Sequence, residues 1–508
     1  MSSHPLTAGV VGAGVAGLSA AIALRRAGFE VQVYERSQFK NEIGAAISAP
    51  PNATAVLRRW GFDFVAAETV PNLFTRYAAA ADLGAVLFES RYEDIEAVMG
   101  SPSLSFHRVD LHNGLRALAT EDEGGVDSDA KGKRVGGSQG GKGTPVAIRL
   151  GCEVRGVDCE NGVLVLADGT RVQKDLVIIA DGAHSDLLAD FLGRRAPPQP
   201  TGRSIYRWLV SMDEVMADPE LAAQYRDKLP GFLSWSDAAE RILWVNYTCR
   251  GDSVLNNAVV HDTKDDFPPR GEWSGDARDN EADLLWHAPA AKETVLATLS
   301  NFHPATRRIV SMASEDGIRV HRLFKRPPLE SFVRGKTAVI GDAAHVMLPT
   351  HAAGCAIAIE SAGVLEVLFK DLGSQLSGSA NCDGDGDGVD TEKRDNATGG
   401  QREIDGGREG IIRERLQLFD KLRIPRCNFT MLVSNAGPEG LRVPGLEQEI
   451  RRFYHGPLPP RNALPWSDEF REVLFHYDAF QEADQALRDE KAKGEGGVHG
   501  MARNENCE

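Results

Sequence analysis

The 508-residue chain predicts an α/β fold in which a parallel-sheet unit is interleaved with a second, mixed α/β region and followed by a helical C-terminal element. Three observations predict it. Residues Ala8 to Arg36 run apolar strand, glycine turn, helix and second apolar strand. Two later apolar strands, one before Asp181-Gly182 and one after Lys336, each end in a turn made of glycine and aspartate. Between them, residues 200 to 325 carry strand-like runs such as Arg241 to Cys249.

In the first unit, Gly12-Ala13-Gly14-Val15-Ala16-Gly17 is a GxGxxG between strand Ala8–Val11 and a helix predicted over Leu18–Ala27. Gly28 stops that helix, Glu30–Tyr34 supplies the second strand, and Glu35 stands at its end. This is the Rossmann-like context in which the glycines let the backbone approach a pyrophosphate, whose charge rests on the helix N-terminus. Glu35 lies 23 positions after Gly12, where a carboxylate accepts hydrogen bonds from ribose hydroxyls and repels a 2′-phosphate. NADP is therefore disfavoured at this site.

The two later turns select FAD. Asp175 to Ser185 puts Asp181-Gly182 at the end of an apolar strand, after a hairpin predicted at Asp168-Gly169. Gly341 to Pro349 puts Gly341-Asp342 after strand Thr337–Ile340, with a small-residue helix from Ala352. Asp342 can hydrogen-bond a ribityl hydroxyl, and the N-terminus of the following helix can stabilise negative charge on a flavin ring.

Composition narrows the function classes. The net charge of −16 argues against a nucleic-acid binder and against docking on anionic lipid. Hydrophobic residues at 42 % suffice for a sizeable core. The seven cysteines are scattered, with no CxxC pair, so no metal site or redox dithiol is encoded. The N-terminus lacks the pattern of a secretory signal and no apolar stretch is long enough to span a bilayer, so a soluble, cytoplasmic protein is expected. Residues 121–143 and 371–410 are rich in Gly, Ser and charge and read as disordered insertions. The second holds an Asp-x-Asp spacing without the Glu that closes a calcium loop. A helix is predicted over Ile411–Asn435, and the charged tail after Asp484 reads as frayed.

The GxGxxG, Asp181-Gly182 and Gly341-Asp342, in this order and spacing, resemble the single-component, class A flavoprotein monooxygenases, and most of all the fungal salicylate-hydroxylase-like group. The resemblance implies an FAD-binding domain over residues 1–200, completed over 326–370, a substrate-binding region over 201–325 and a helical C-terminal region and tail over 411–508. It implies cofactor contacts from Gly12, Gly14, Gly17, Glu35, Ala46, Arg108, Asp342, Gly354 and Cys355. Arg108 is carried by the match of His107-Arg108-Val-Asp-Leu to the family's FAD-contacting arginine. Arg207, in Ser204-Ile-Tyr206-Arg207-Trp208, resembles the arginine that holds an acidic substrate, and Tyr247 resembles its tyrosine partner. With one dinucleotide fingerprint, given to FAD, NAD(P)H would bind transiently in a groove.

The chain departs from the family pattern at Leu188, where the first turn's motif usually ends in Arg. It departs again at Val346 for Pro, Ala352 for Gly and Ser361 for Asp. The activity implied is hydroxylation of a phenolic or salicylate-like aromatic with NAD(P)H and O2, with a place in fungal secondary metabolism. The rival readings are a flavin reductase without O2 insertion and a non-catalytic flavoprotein.

Overall fold

The computed structural model describes residues 5–39, 45–121, 143–226, 230–263, 287–370, 372 and 397–501. The first βαβ unit forms where the apolar pattern places it. Strand Thr7–Val11 pairs in parallel with Glu30–Glu35, and helix Val15–Arg26, rich in Ala and Leu, is buried from Gly17 through Arg25. The buried Arg25 guanidinium donates to the carbonyls of Leu118, Ala119, Glu121 and Gly143. It thereby ties together the two ends of the first low-complexity segment, whose residues 122–142 lie outside the described residues.

A six-stranded sheet orders Val333–Arg334, Thr337–Val339, Leu176–Ile179, Thr7–Val11, Glu30–Glu35 and Ala147–Leu150, parallel except at the first pair. Its central strands are buried on both faces, as a sheet covered on both sides requires. This order explains how motifs far apart in sequence meet. Leu176–Ile179 lies between Thr7–Val11 and Thr337–Val339 and runs parallel to both. The three strands therefore end on the same edge, bringing Gly12, Asp181 and Gly341 to one crevice. The predicted hairpin also forms: Val163–Leu166 pairs with Arg171–Gln173 around Gly169 at φ +84°.

The second sheet has eight strands, in the order His287–Pro289, Arg319–Lys325, Gln199–Ser211, Val254–Asp262, Ile242–Cys249, Phe232–Asp237, Phe74–Ala79 and Val86–Arg91. The last two come from the stretch 1–200, and Phe74–Ala79 joins by pairing in parallel with Phe232–Asp237. Alternation gives the sheet two unlike faces. Tyr206, Trp208, Trp235, Trp244, Leu255, Val259 and Val320 form a core with helical residues including Val215, Leu221, Val295 and Ile309. The opposite face carries Arg207, Val245, Tyr247, Asn256 and Ala258, and through Asn256 it meets strand Ala46–Ala49, which pairs with Leu104–His107.

A helix spans Ala397–Asn435, so the stretch 371–410 is not irregular throughout. Its residues 371 and 373–396 lie outside the described residues. Composition weighs each glycine of 397–410 singly, whereas helical hydrogen bonding propagates upstream from a docked segment. That segment is anchored by Arg413, which reaches Glu409 and Glu160, and by Lys336 on Glu409. The tail after Asp484 continues a helix, Ala479–Met501. No helix among the described residues is long and apolar enough to cross a membrane.

Candidate active site

The glycine loop is shaped by close approach. Gly12 sits at φ +95°, and a Cβ there would lie 2.5 Å from the Ala180 carbonyl oxygen. A Cβ on Gly17 would lie 1.9 Å from the Gly12 carbonyl oxygen. Gly14 differs: a Cβ there meets no heavy atom within 4 Å. The loop thus leaves room at Gly14, beside a helix N-terminus with no side-chain cap, and the donors there suit a pyrophosphate. Glu35 lies under the loop, its Oε2 accepting from Ala13 N at 2.7 Å and its Oε1 from Ser37 N at 2.7 Å. A carboxylate has about four lone-pair sites, so acceptor capacity remains for ribose hydroxyls. His112 Nε2 bonds the Ala13 carbonyl at 2.8 Å, a second clamp that no motif marks.

The turn at Gly341, φ +64°, packs on the same helix, because a Cβ there would lie 2.6 Å from Ala16 Cβ. Asp342 follows, reached by solvent yet surrounded by protein, so it lines a cleft. Enclosure by protein raises its carboxyl above the ordinary aspartate range, and the charge of Arg108 opposes that rise. Helix Ala353–Phe369 begins at Ala352 without a side-chain cap, with Gly354 and Cys355 in its first turn. A Cβ on Gly354 would lie 3.9 Å from Asp342 Oδ1. Burial pushes the Cys355 thiol up to about 12, helped by Asp342 and opposed by Arg108, so it is a neutral wall of the cleft. Asp181, on the neighbouring turn, is pushed up to about 6 by burial, against the pull of the Ser185 hydroxyl. Arg108 N donates to Ala45 O at 2.8 Å, and Ala46 N to Asn256 Oδ1 at 3.1 Å, which fastens the cofactor unit to the eight-stranded sheet. Arg250 does the same from the other side, with Nε and Nη2 on Asp110 at 2.8 and 2.9 Å.

Arg207 and Tyr247 stand on the face that meets this cleft. Arg207 pairs with Ala258, which pairs with Val245; Tyr247 lies two residues beyond Val245 on the same face. Burial lowers the Arg207 pKa, with Tyr247 opposing and Arg108 adding to the fall. Burial likewise raises the Tyr247 pKa, with Arg207 opposing. Arg108 acts electrostatically on Arg207, Asp342 and Cys355 alike, so the structure brings these predicted residues together. The Tyr247 ring packs on Phe232 at 4.9 Å, Phe232 on Trp466 at 5.3 Å, and Trp466 on His351 at 6.2 Å. Asn256, Phe232 and Trp466 were not foreseen from sequence; a polar Asn256-Asn257 pair inside an apolar strand was the one available signal.

The departures from the family pattern have local explanations. Leu188 is 1 % exposed and packs in the main core. The buried Arg326 instead donates to Ala183 O at 3.1 Å and to Ala196 O, bracing the turn after Asp181. Ser361 Oγ donates to Ile357 O at 2.7 Å and accepts from Arg423 Nε at 3.1 Å. Ala352 takes φ +51°, a left-handed conformation that glycine adopts at less cost. Val346 is buried, and its carbonyl accepts from Arg326 N at 3.2 Å.

Comparison with known proteins supports the same fold and the same cofactor. Residues 10–60 match the model of an NAD(P)-binding Rossmann-like domain. The chain is 30 % identical to hispidin-3-hydroxylase of Neonothopanus nambi over 370 residues, 71 % of this chain and 79 % of that protein. It is 29 % identical to the FAD-dependent monooxygenase cfoG of Aspergillus candidus over 489 residues, 94 % of each. The solved salicylate hydroxylase substrate complex shares the fold, with a TM-score of 0.63 at 21 % identity over 96 % of this chain and 98 % of that one. A glycine loop, a carboxylate at the end of the second strand and two aspartate turns converging on one crevice, joined to this degree of identity, mean that the chain belongs to the class A FAD-dependent monooxygenases.

Proposed function

We propose that this enzyme uses NAD(P)H and O2 to hydroxylate a phenolic or salicylate-like aromatic substrate. The observation that carries the reading is the placement of Arg207 and Tyr247 on the sheet face that meets Arg108 and Asp342. Gly12, Gly14 and Gly17 would hold the FAD pyrophosphate, Glu35 the ribose and Asp342 the ribityl chain, with Ala46, Arg108, Gly354 and Cys355 along the flavin. When bound and reduced, the flavin supplies an electrophilic oxygen atom derived from O2, which calls for an electron-rich ring.

Arg207 meets that demand. An enclosed guanidinium costs solvation free energy that an anionic oxygen recovers, so it draws a phenolate or carboxylate into the cleft. Tyr247, held protonated by burial, donates a hydrogen bond to the same oxygen and fixes the ring's orientation. The relative named hispidin-3-hydroxylase supports a hydroxylation, and the one named 6-hydroxynicotinate 3-monooxygenase supports a hydroxyl-bearing ring. A flavin reductase or a non-catalytic flavoprotein would share the cofactor crevice but has no use for the arginine–tyrosine pair. Residues 1–200 with 326–370 would form the cofactor domain and 201–325 most of the substrate domain. A cytoplasmic location suits the free Cys152, Cys159, Cys249, Cys355 and Cys427, and a role in fungal secondary metabolism suits the likeness to fungal monooxygenases.

The test is a panel of phenols and indoles incubated with FAD-loaded protein, NADPH or NADH, and isotopically labelled O2. Phenol-stimulated consumption of the nicotinamide with label in the product is expected. Consumption that no phenol stimulates, with no label incorporated, overturns the reading.

A further inference from the structure

Behind the cofactor wall lies a group of buried charges that catalysis, as described, leaves unused. Glu360, on helix Ala353–Phe369, faces Arg423 and Arg426 on helix Ala397–Asn435. The Glu360 and Arg423 side chains are 0 % exposed and that of Arg426 is 6 % exposed. Arg423 Nη2 reaches Glu360 at 2.9 Å and Arg426 Nη2 at 2.8 Å, while Asn52 Nδ2 donates to the same carboxylate. One carboxylate thus meets two guanidiniums, and the cluster carries one surplus positive charge among the described residues.

Among the described residues no other charged side chain hydrogen-bonds to these three, and Glu482 acts on Tyr477 rather than pairing with either arginine. Ser361 Oγ accepts from Arg423 Nε at 3.1 Å, and Cys427 Sγ lies 3.4 Å from its Nη2. The Tyr477 ring lies 4.4 Å from the Arg426 guanidinium. Burial raises both the Cys427 thiol and the Tyr477 phenol, so each stays neutral. Arg423 Nη1 is buried without a hydrogen-bond partner.

The cluster is also close to the cofactor crevice. Arg423 Nη2 donates to Ile357 O at 3.1 Å, four residues into the helix that starts at Ala353 beside Asp342. At 1.5 Å of rise per residue, that carbonyl is about 6 Å from the helix start. The field reaches the Gly341 turn as well. His345 is held down to about 3, by burial first and by the Arg423 charge next, with Glu360 opposing.

We infer that the surplus positive charge of Arg423 and Arg426 over Glu360, left because Ser361 stands where a second carboxylate would reach Arg423, stabilises the negative charge that bound flavin gains on reduction. Ser361 and Arg423 thereby set how readily FAD accepts a hydride, although neither lies in the substrate cleft. The N-terminus of helix Ala353–Phe369 acts in the same direction, so the two fields add.

The test is the midpoint potential of the FAD-loaded enzyme, titrated against a reference dye, for wild type, Ser361→Asp and Ser361→Asn. Asp and Asn share a shape and differ in charge. Ser361→Asp is expected to lower the potential, so that preference for reduced over oxidised FAD falls by about tenfold, for one charge at roughly 12 Å in a medium of effective dielectric about 20. Ser361→Asn should leave that preference within about twofold, as a neutral group adds no net charge. Should the Asp variant fail to fold, Arg423→Gln removes the same surplus charge and is expected to move the potential in the same direction. Equal potentials for the Asp and Asn variants with FAD bound, or an unmoved potential in Arg423→Gln, overturn the inference. These readouts need no substrate, so they stand apart from the hydroxylation test.

Discussion

The two sheets build their halves of the site in opposite ways. In the parallel sheet the proposed cofactor site rests mainly on backbone, helix N-termini and glycine turns where adjacent strands end, with Glu35 and Asp342 set at those ends. In the eight-stranded sheet the other half is made of side chains standing at alternate positions on one face. The first kind tolerates almost no substitution, since a Cβ at Gly12 or Gly17 strikes a carbonyl oxygen. The second kind is built on an ordinary strand whose backbone would accept nearly any residue at Arg207 or Tyr247. Cofactor recognition is therefore rigid and substrate recognition adjustable, as a fold that serves many substrates requires.

The strongest test of this contrast is Arg207→Ala. Loss of a charge-assisted hydrogen bond is worth about 1.5–3 kcal/mol, a fall of roughly tenfold to a hundredfold in kcat/KM. FAD content should be unchanged and the folded protein recovered in full. Product formed per NADPH consumed should drop, with hydrogen peroxide taking up the difference. Arg207→Lys should recover only part, because it keeps the charge and loses the planar fork. Release of FAD from Arg207→Ala would assign the residue to the backbone-built half and erase the distinction.

Gly14→Val probes the other half. Its side chain points into space free of protein atoms, so the apo protein should melt as wild type does. FAD affinity should weaken at least about tenfold, equivalent to about 1.4 kcal/mol, because the branched side chain occupies the pyrophosphate's approach. Gly17→Ala should behave differently and fail to fold, since its Cβ has no space even without ligand. Equal FAD binding by wild type and Gly14→Val, measured by fluorescence titration, would remove Gly14 from the site.

The smallest expected effect sharpens the contrast at a point where the backbone-built half has drifted. Ala352 occupies a left-handed conformation at the start of helix Ala353–Phe369. Relief of that strain in Ala352→Gly should stabilise the apo protein by about 1 kcal/mol in urea unfolding. A loss of stability would mean that the Ala352 methyl group makes packing contacts worth more than the strain.

The alternation of strand, glycine turn and helix determined the cofactor half in full view, because φ > 0 and sub-van-der-Waals approach admit glycine and little else. The place of Glu35 at the end of its strand was legible for a related reason: it is counted along a single βαβ unit, and local geometry sets that count. The roles proposed for Arg207 and Tyr247 rest on resemblance, because a strand shows two faces and nothing local says which one turns away from the core. That was decided by Trp208, Trp235 and Trp244 turning to the helices, which left the other face for the cleft. The joining of Phe74–Ala79 to the distant sheet, the bracing of the Asp181 turn by Arg326, and the approach of Trp466 to Phe232 are decisions of the same sort. So is the meeting of Glu360 with Arg423 and Arg426 across two helices. Sequence determines what each backbone segment can do with its neighbours a few residues away. Which side chains share a desolvated space, and hence which charges go unmatched, depends on contacts between segments that only the folded chain brings within a few ångströms.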